Sequence, residues 1–317
     1  MGIARTGPAA DPIPVHAIRA KLTCASVLAV LGAACLAPDA AASQLIGRNG
    51  THVKLEVNRA GRAMLTYRVD GRVRHVLAWG AVNARNPATA RRQVAFKVDY
   101  SGGWGAFHQS VWKTFKNVCR PVSVRLAWVV AACDAPDGST WAVQRWQRGL
   151  PNYGLAADAL QASWELRLSH WIGPVPSFEV HFGWAYGRFQ MIYGRFSYLD
   201  RPIYGFHSTP QGAPLDSYGR LVYVDTYDSL YGTGWHRENS FLTHKGTGGF
   251  CYGFYAHGER PSGQGQRYRA TAIGPGALPD MYWEDTPPSQ TYDRSLDLAA
   301  DENMRSLLAG DGACRPH

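Results

Sequence analysis

Six side chains able to do chemistry crowd into residues 216–257: Asp225, Asp228, His236, Glu238, His244 and His257, set among Tyr223, Tyr227, Tyr231 and Trp235. Two carboxyls flanking one glycosidic bond, one as acid and one as base or nucleophile, hydrolyse sugars. Asp225 with Glu238 is the candidate catalytic pair, and the flat rings beside them suit sugar faces. The plain alternative is that acids in Gly-rich loops satisfy turns, as Asp228 before Ser229 would. His236-x-Glu238 with His244 or His257 offers metal-binding nitrogens and oxygens. That spacing matches neither a helical HExxH nor a finger, so loop histidines held by hydrogen bonds are expected, with no metal.

A second constellation rests on period-two alternation. In Phe178-Glu179-Val180-His181-Phe182-Gly183-Trp184, Phe178, Val180, Phe182 and Trp184 share one face of a strand. Glu179 and His181 share the other. A sheet with one solvated side explains this pattern; its functional version is a concave face lined by Glu179, His181 and the rings of the recurring Tyr-Gly pairs. Whole classes drop out by absence of their motifs. There is no G-x-S-x-G for a serine nucleophile and no GxxxxGK[ST] phosphate loop. Gly263-Gln264-Gly265 reads as a turn, and no cofactor is expected.

The elements that must position these residues read as β. Alternating runs at 52–57 and 63–69 lead into Asp70-Gly71 and a partner at 72–79, the strongest short hairpin signal in the chain. A second hairpin is expected at 124–133 and 139–147. Further strands are expected at 93–100, 163–171, 177–186, 192–199, 220–227, 249–256 and 267–273. A short helix fits 156–163. A better one fits 295–309, with a stripe of Leu296, Ala299, Ala300, Leu307 and Leu308 ahead of Gly310. No 20–50-residue repeat appears, although Tyr186-Gly187-Arg188-Phe189 echoes as Tyr193-Gly194-Arg195-Phe196. The expected fold is all-β: a two-sheet sandwich or jelly roll of about ten strands with a short C-terminal helix. One domain over 43–317 is preferred, with a split near 150, at Gly149-Leu150-Pro151, as the alternative.

Arg19 and Lys21 precede an apolar run, Leu22 to Leu36, that ends in small residues. This describes a signal peptide over 1–42 cleaved before Ser43, too short for a membrane span, so no transmembrane anchor is expected. Export makes Cys119, Cys133, Cys251 and Cys314 an even disulfide set with three connectivities open. A straight strand from Val122 to Ala132 would separate Cys119 and Cys133 by roughly 30 Å and forbid their pairing. A strand beginning only near Leu126 would permit it.

Composition narrows the field further. The chain has 317 residues, a formal net charge of +9, 45% hydrophobic, 12% aromatic and only 18% charged residues. That apolar content excludes a disordered chain. The charge is uneven: residues 44–125 hold 15 bases and 3 acids, while 126–317 hold 15 bases and 19 acids. Either a basic face awaits an anionic polymer, or the acidic stretch Asp280 to Glu302 folds back over the basic strands, which is the preferred expectation. Nucleic acid is not the expected partner, because the densest rings and the densest positive charge lie in different regions.

These readings point to an exported, non-catalytic glycan- or cell-envelope-binding protein with an aromatic-lined face. Tyr223, Tyr227, Tyr231, Trp235, His236, Glu179 and His181 are its candidate ligand-binding residues, and a polysaccharide or anionic envelope polymer is the expected partner. The alternatives are a secreted glycoside hydrolase or lyase using Asp225 and Glu238, and a structural envelope component.

Overall fold

The computed structural model describes residues 43–85, 93–147, 164–202, 207–208, 214–215, 222–238, 242–243, 249–254 and 263–309. The signal-like segment, the expected helix at 156–163, the Gly149-Leu150-Pro151 boundary, His244, His257 and Cys314 lie outside these residues. In chain order the strands are β1 (Gln44–Arg48), β2 (Thr51–Val57), β3 (Ala63–Val69), β4 (Arg72–Gly80), β5 (Phe96–Asp99), β6 (Arg120–Pro121), β7 (Val129–Asp134), β8 (Thr140–Gln147), β9 (Trp164–Trp171) and β10 (Ser177–Ala185). They continue as β11 (Phe189–Tyr198), β12 (Arg201–Pro202), β13 (His207–Ser208), β14 (Pro214–Leu215), β15 (Val222–Ser229), β16 (Gly232–Glu238), β17 (Leu242–Thr243), β18 (Gly249–Gly253), β19 (Arg267–Ala272) and β20 (Met281–Asp285). The helices are α1 (Trp104–Phe107) and α2 (Arg294–Leu307).

The protein is mostly β, as alternation requires, but with more strands than the ten expected. They form four antiparallel sheets in the orders β1-β9-β8-β7-β6, β2-β3-β4-β5, β10-β11-β18-β17 with β12 on β11, and β16-β15-β19-β20; β13 and β14 pair separately. Asp70 and Gly71 join β3 to β4 with both residues in the left-handed region (φ 50° and 71°), the conformation that their types allow at a tight hairpin turn. One apolar core lies between the first two sheets, where Ile46, Trp141, Val143, Leu166 and Leu168 meet Val57, Leu65, Tyr67, Val76 and Ala78. A second joins Ile192, Phe196 and Phe250 to Val224, Tyr268 and Ala270. Each fully buried Leu, Ile or Phe contributes about 1.5–3 kcal/mol, so these clusters hold the sheets.

The second expected hairpin forms, but its first strand starts at Val129 rather than at 124. Residues 122–128 instead run back beside it, so that β6 pairs with the end of β7 and Pro121 sits opposite Cys133. Cys119 and Cys133 are therefore 5.6 Å apart at Cα and are disulfide-bonded; this is the case in which the strand begins late. Cys251 is disulfide-bonded as well.

Helix α2 is capped by Asp293, whose carboxylate accepts from the Ser295 and Leu296 amides. It buries Ala300, Met304 and Leu308 against Ala185, Met191 and Tyr193. The expected stripe was partly misplaced: Met304 carries the contact, and Leu296 points outward, 38% exposed. The acidic C-terminal stretch does not fold back over the basic strands. β20 pairs with β19 and α2 packs on β10 and β11. Among the described residues Asp280 is the acid of this stretch that reaches towards the N-terminal sheets, where it meets the buried Arg167 (Nε–Oδ2 3.1 Å) and the Ser43 hydroxyl (2.6 Å).

Candidate functional site

β15 runs between β16 and β19, and its register decides what each side chain meets. Asp225 stands opposite Arg237 on one side and Arg269 on the other. Cross-strand partners share a face, so one face of this sheet carries Tyr223, Asp225 and Tyr227 of β15, Trp235 and Arg237 of β16, Arg267 and Arg269 of β19, and Tyr282 and Glu284 of β20. Arg237 donates from Nε to Asp225 Oδ1 at 2.7 Å, and Arg269 donates from Nε to Oδ2 at 2.6 Å. Asp225 is 1% exposed. Burial alone would raise its carboxyl, but the charges and hydrogen bonds of the two guanidiniums hold it below the ordinary carboxylate value.

The guanidiniums also lie over rings. Arg237 sits 3.9 Å from the Tyr223 centroid, and Arg269 sits 4.3 Å from that of Trp235. Arg267 lies 5.3 Å from Tyr227 and 5.6 Å from Trp235, and it also pairs with Glu284. Tyr227 and Trp235 are tilted against each other with centroids 5.1 Å apart. At the buried end, Trp128 contacts Tyr282 (4.1 Å) and Trp146 (5.7 Å). Trp128 has φ 54°, a left-handed backbone that costs a bulky residue about 1–2 kcal/mol and is held here by these ring contacts. Tyr227, Trp235 and Arg267 form the solvent-facing end, the two rings half-buried and Arg267 exposed.

Glu238 is on the other face. It pairs across the ladder with Val224 and hydrogen-bonds Thr226 and Tyr252, whose hydroxyls donate to its Oε1 (3.3 Å) and Oε2 (3.2 Å). Tyr231 bonds to it too, so this ring turns away from the aromatic face. At 2% exposed, the acid is shifted chiefly by burial, with the Asp225 charge adding to it and three hydroxyl bonds opposing, and its pKa is pushed up to about 7. Gly263 runs directly against it, since a Cβ there would fall 1.2 Å from Oε1. The Gly263-Gln264-Gly265 stretch is thus a close approach of backbone to an acid. Asp225 and Glu238 therefore do not face one another across a groove.

His236 lies on the Glu238 face with its Nε2 against the Thr233 carbonyl at 3.1 Å. Among the described residues no three His, Cys, Asp or Glu side chains are grouped to hold a metal. Asp228 closes the β15–β16 turn, accepting from the Gly234 amide at 2.7 Å.

The β10 constellation is a separate site. Glu179 and His181 share a face, as alternation predicts, and bond directly (Oε1–Nε2 2.8 Å). His181 also stacks on Tyr193, which donates to the Ala300 carbonyl at 3.1 Å. Helix α2 covers the Gly183–Ala185 end of that face. At the open end Ser177, Glu179, Arg195, Ser197 and Asp200 line a shallow polar hollow of about 310 Å³. Of the Tyr-Gly rings, Tyr193 lies beside His181 here.

Sequence reasoning missed Arg237, Arg267, Arg269, Trp128 and Tyr282. The signal was present as Trp235-x-Arg237 and Arg267-x-Arg269, two alternating pairs, but their common face depends on strand register. No family model, curated protein or solved structure matches the chain.

Proposed function

We propose that this protein is an exported, non-catalytic glycan-binding protein that docks sugar rings on the Tyr227–Trp235 end of the β15 sheet. The observation that carries the reading is a half-exposed pair of rings, flanked by the exposed Arg267, on a face whose carboxylates are both engaged by guanidiniums. Rings held by cation–π contacts lose little freedom on binding, and Arg267 supplies donors for hydroxyls. Export is supported by the signal-like segment and by a disulfide of the kind that persists outside the reducing cytosol. A hydrolase built on Asp225 and Glu238 is less well supported, because strand alternation sets them on opposite faces and Asp225 is committed to two arginines.

The test is retention of the protein on a panel of insoluble polysaccharides and on isolated cell walls, with Trp235→Ala and Tyr227→Ala alongside. Retention that falls at least tenfold in both variants, with melting unchanged, supports the reading; tenfold is about 1.4 kcal/mol. No retention of the wild-type protein on any matrix would overturn it, as would release of reducing sugar that survives in both ring variants.

A further inference from the structure

The basic region on the N-terminal sheets is open to solvent. Of the 15 bases between Arg48 and Arg125, Arg91 and Arg92 lie outside the described residues, and all the others except the half-buried Arg62 are exposed. Of the three acids of this region, Glu56 offsets one of these surface bases. Asp99 is buried and spent on backbone, accepting from the Ser101 and Ala106 amides at 2.8 Å each. Glu56 pairs with Lys54 at 2.9 Å, and Asp70 sits in the β3–β4 turn. Among the described residues, Arg68, Lys97, Lys113 and Lys116 make no ion pair.

These bases surround a built platform. The face of β3 and β4 turned away from the core carries Lys54, Thr66, Arg68 and His75, since Lys54 and His75 both stand opposite Thr66. A strap of residues 100–116, anchored by Asp99, folds over this face. Gly102 and Gly103 have φ 68° and 113°, and a Cβ on Gly102 would meet Trp112 at 2.8 Å and His75 at 3.0 Å. The strap stacks Trp112 on His75, with centroids 4.3 Å apart and planes within 4°, and brings Lys113 Nζ to 5.5 Å from the same ring. It also displays Trp104 and Tyr100, 60% and 58% exposed.

We propose that this platform, with Arg68 and Lys113 beside the His75–Trp112 stack, docks an anionic polysaccharide through its carboxylate or sulfate groups. The charge argues for a polyanion. Trp112 already has one face on His75 and a lysine nearby, so it is poorly placed to stack a base, and this favours an acidic sugar chain over a single-stranded nucleic acid. The inference is independent of sugar docking at Trp235.

The experiment measures binding of the full chain to alginate, to neutral dextran and to a single-stranded oligonucleotide across a salt series. Alginate is expected to bind with an affinity that falls as salt rises, and dextran not to bind through this platform. Arg68→Glu with Lys113→Glu should weaken alginate binding at least about tenfold at low salt, with melting unchanged because both side chains are exposed. Arg68→Gln with Lys113→Gln should give an intermediate loss, and Arg305→Glu on α2 none. Alginate binding that does not fall as salt rises, binding undiminished in the double charge reversal, or tighter binding of the oligonucleotide would each overturn the proposal.

Discussion

The two faces of the β15 sheet hold one buried carboxyl each, and they behave in opposite ways. Asp225 and Glu238 come from paired strands and are both nearly inaccessible, at 1% and 2% exposed. Asp225 meets two guanidiniums and stays charged. Among the described residues Glu238 meets hydroxyls, with the Asp225 charge beyond them, and its pKa rises to about 7. Burial does not decide the charge of an acid; the partners that replace water do. The faces divide labour accordingly. The Asp225 face carries fixed charge and rings towards solvent, while the Glu238 face carries a near-neutral acid towards the core shared with Tyr252 and Tyr268.

The largest test of this contrast is Asp225→Ala. It removes the carboxylate that two buried guanidiniums share, and a loss of about 3–5 kcal/mol is expected in urea unfolding; Glu238→Gln should lose far less, and equal losses would erase the distinction. The second test is pH. A raised carboxyl binds more protons in the native state, so its contribution is whole below the ordinary value of 4.5 and is lost as pH rises through about 7. At about 1.4 kcal/mol per pH unit, the change approaches about 3 kcal/mol. Glu238→Gln should flatten that slope. Asp225 works in the opposite sense: its contribution is present above 3.8 and fades as pH falls below it. Stability should thus decline on both sides of a weakly acidic maximum.

Smaller effects sharpen the comparison. Gly263→Ala forces a methyl into the Glu238 carboxyl, with an expected loss of about 1–3 kcal/mol by overpacking. It should leave the Asp225 face and its ligand binding untouched. Glu284→Gln removes the partner of Arg267 at the solvent edge, where an ion pair contributes about 0–1 kcal/mol. Its thermal midpoint should barely move.

Much of the fold was legible because alternation and turn chemistry are local. Residues 63–69, the Asp70-Gly71 turn and the Glu179/His181 face all follow from spacing within one strand. β1, β16 and β20 were missed. Gly232-Thr233-Gly234 opens β16 with two glycines, which weaken a strand signal, and β20 has little alternation to read. The late start of β7 was undecidable from residues 122–128 alone, yet it sets the Cys119–Cys133 bond. At the candidate site the residue types were visible, but their faces were not. Thirteen positions separate Asp225 from Glu238, and whether they share a face depends on the register across the Asp228 turn. The arginines escaped notice because an Arg in sequence carries no mark of being buried; only the ladder brings Arg237 and Arg269 to the same carboxylate.

The most direct measurement of the central claim is retention on polysaccharide and cell-wall matrices by wild-type protein, Trp235→Ala and Glu238→Gln side by side. If the Asp225 face is the binding face, Trp235→Ala loses retention while Glu238→Gln keeps it, with both proteins folded. Retention lost in Glu238→Gln and kept in Trp235→Ala would contradict the account and move the site to the opposite face.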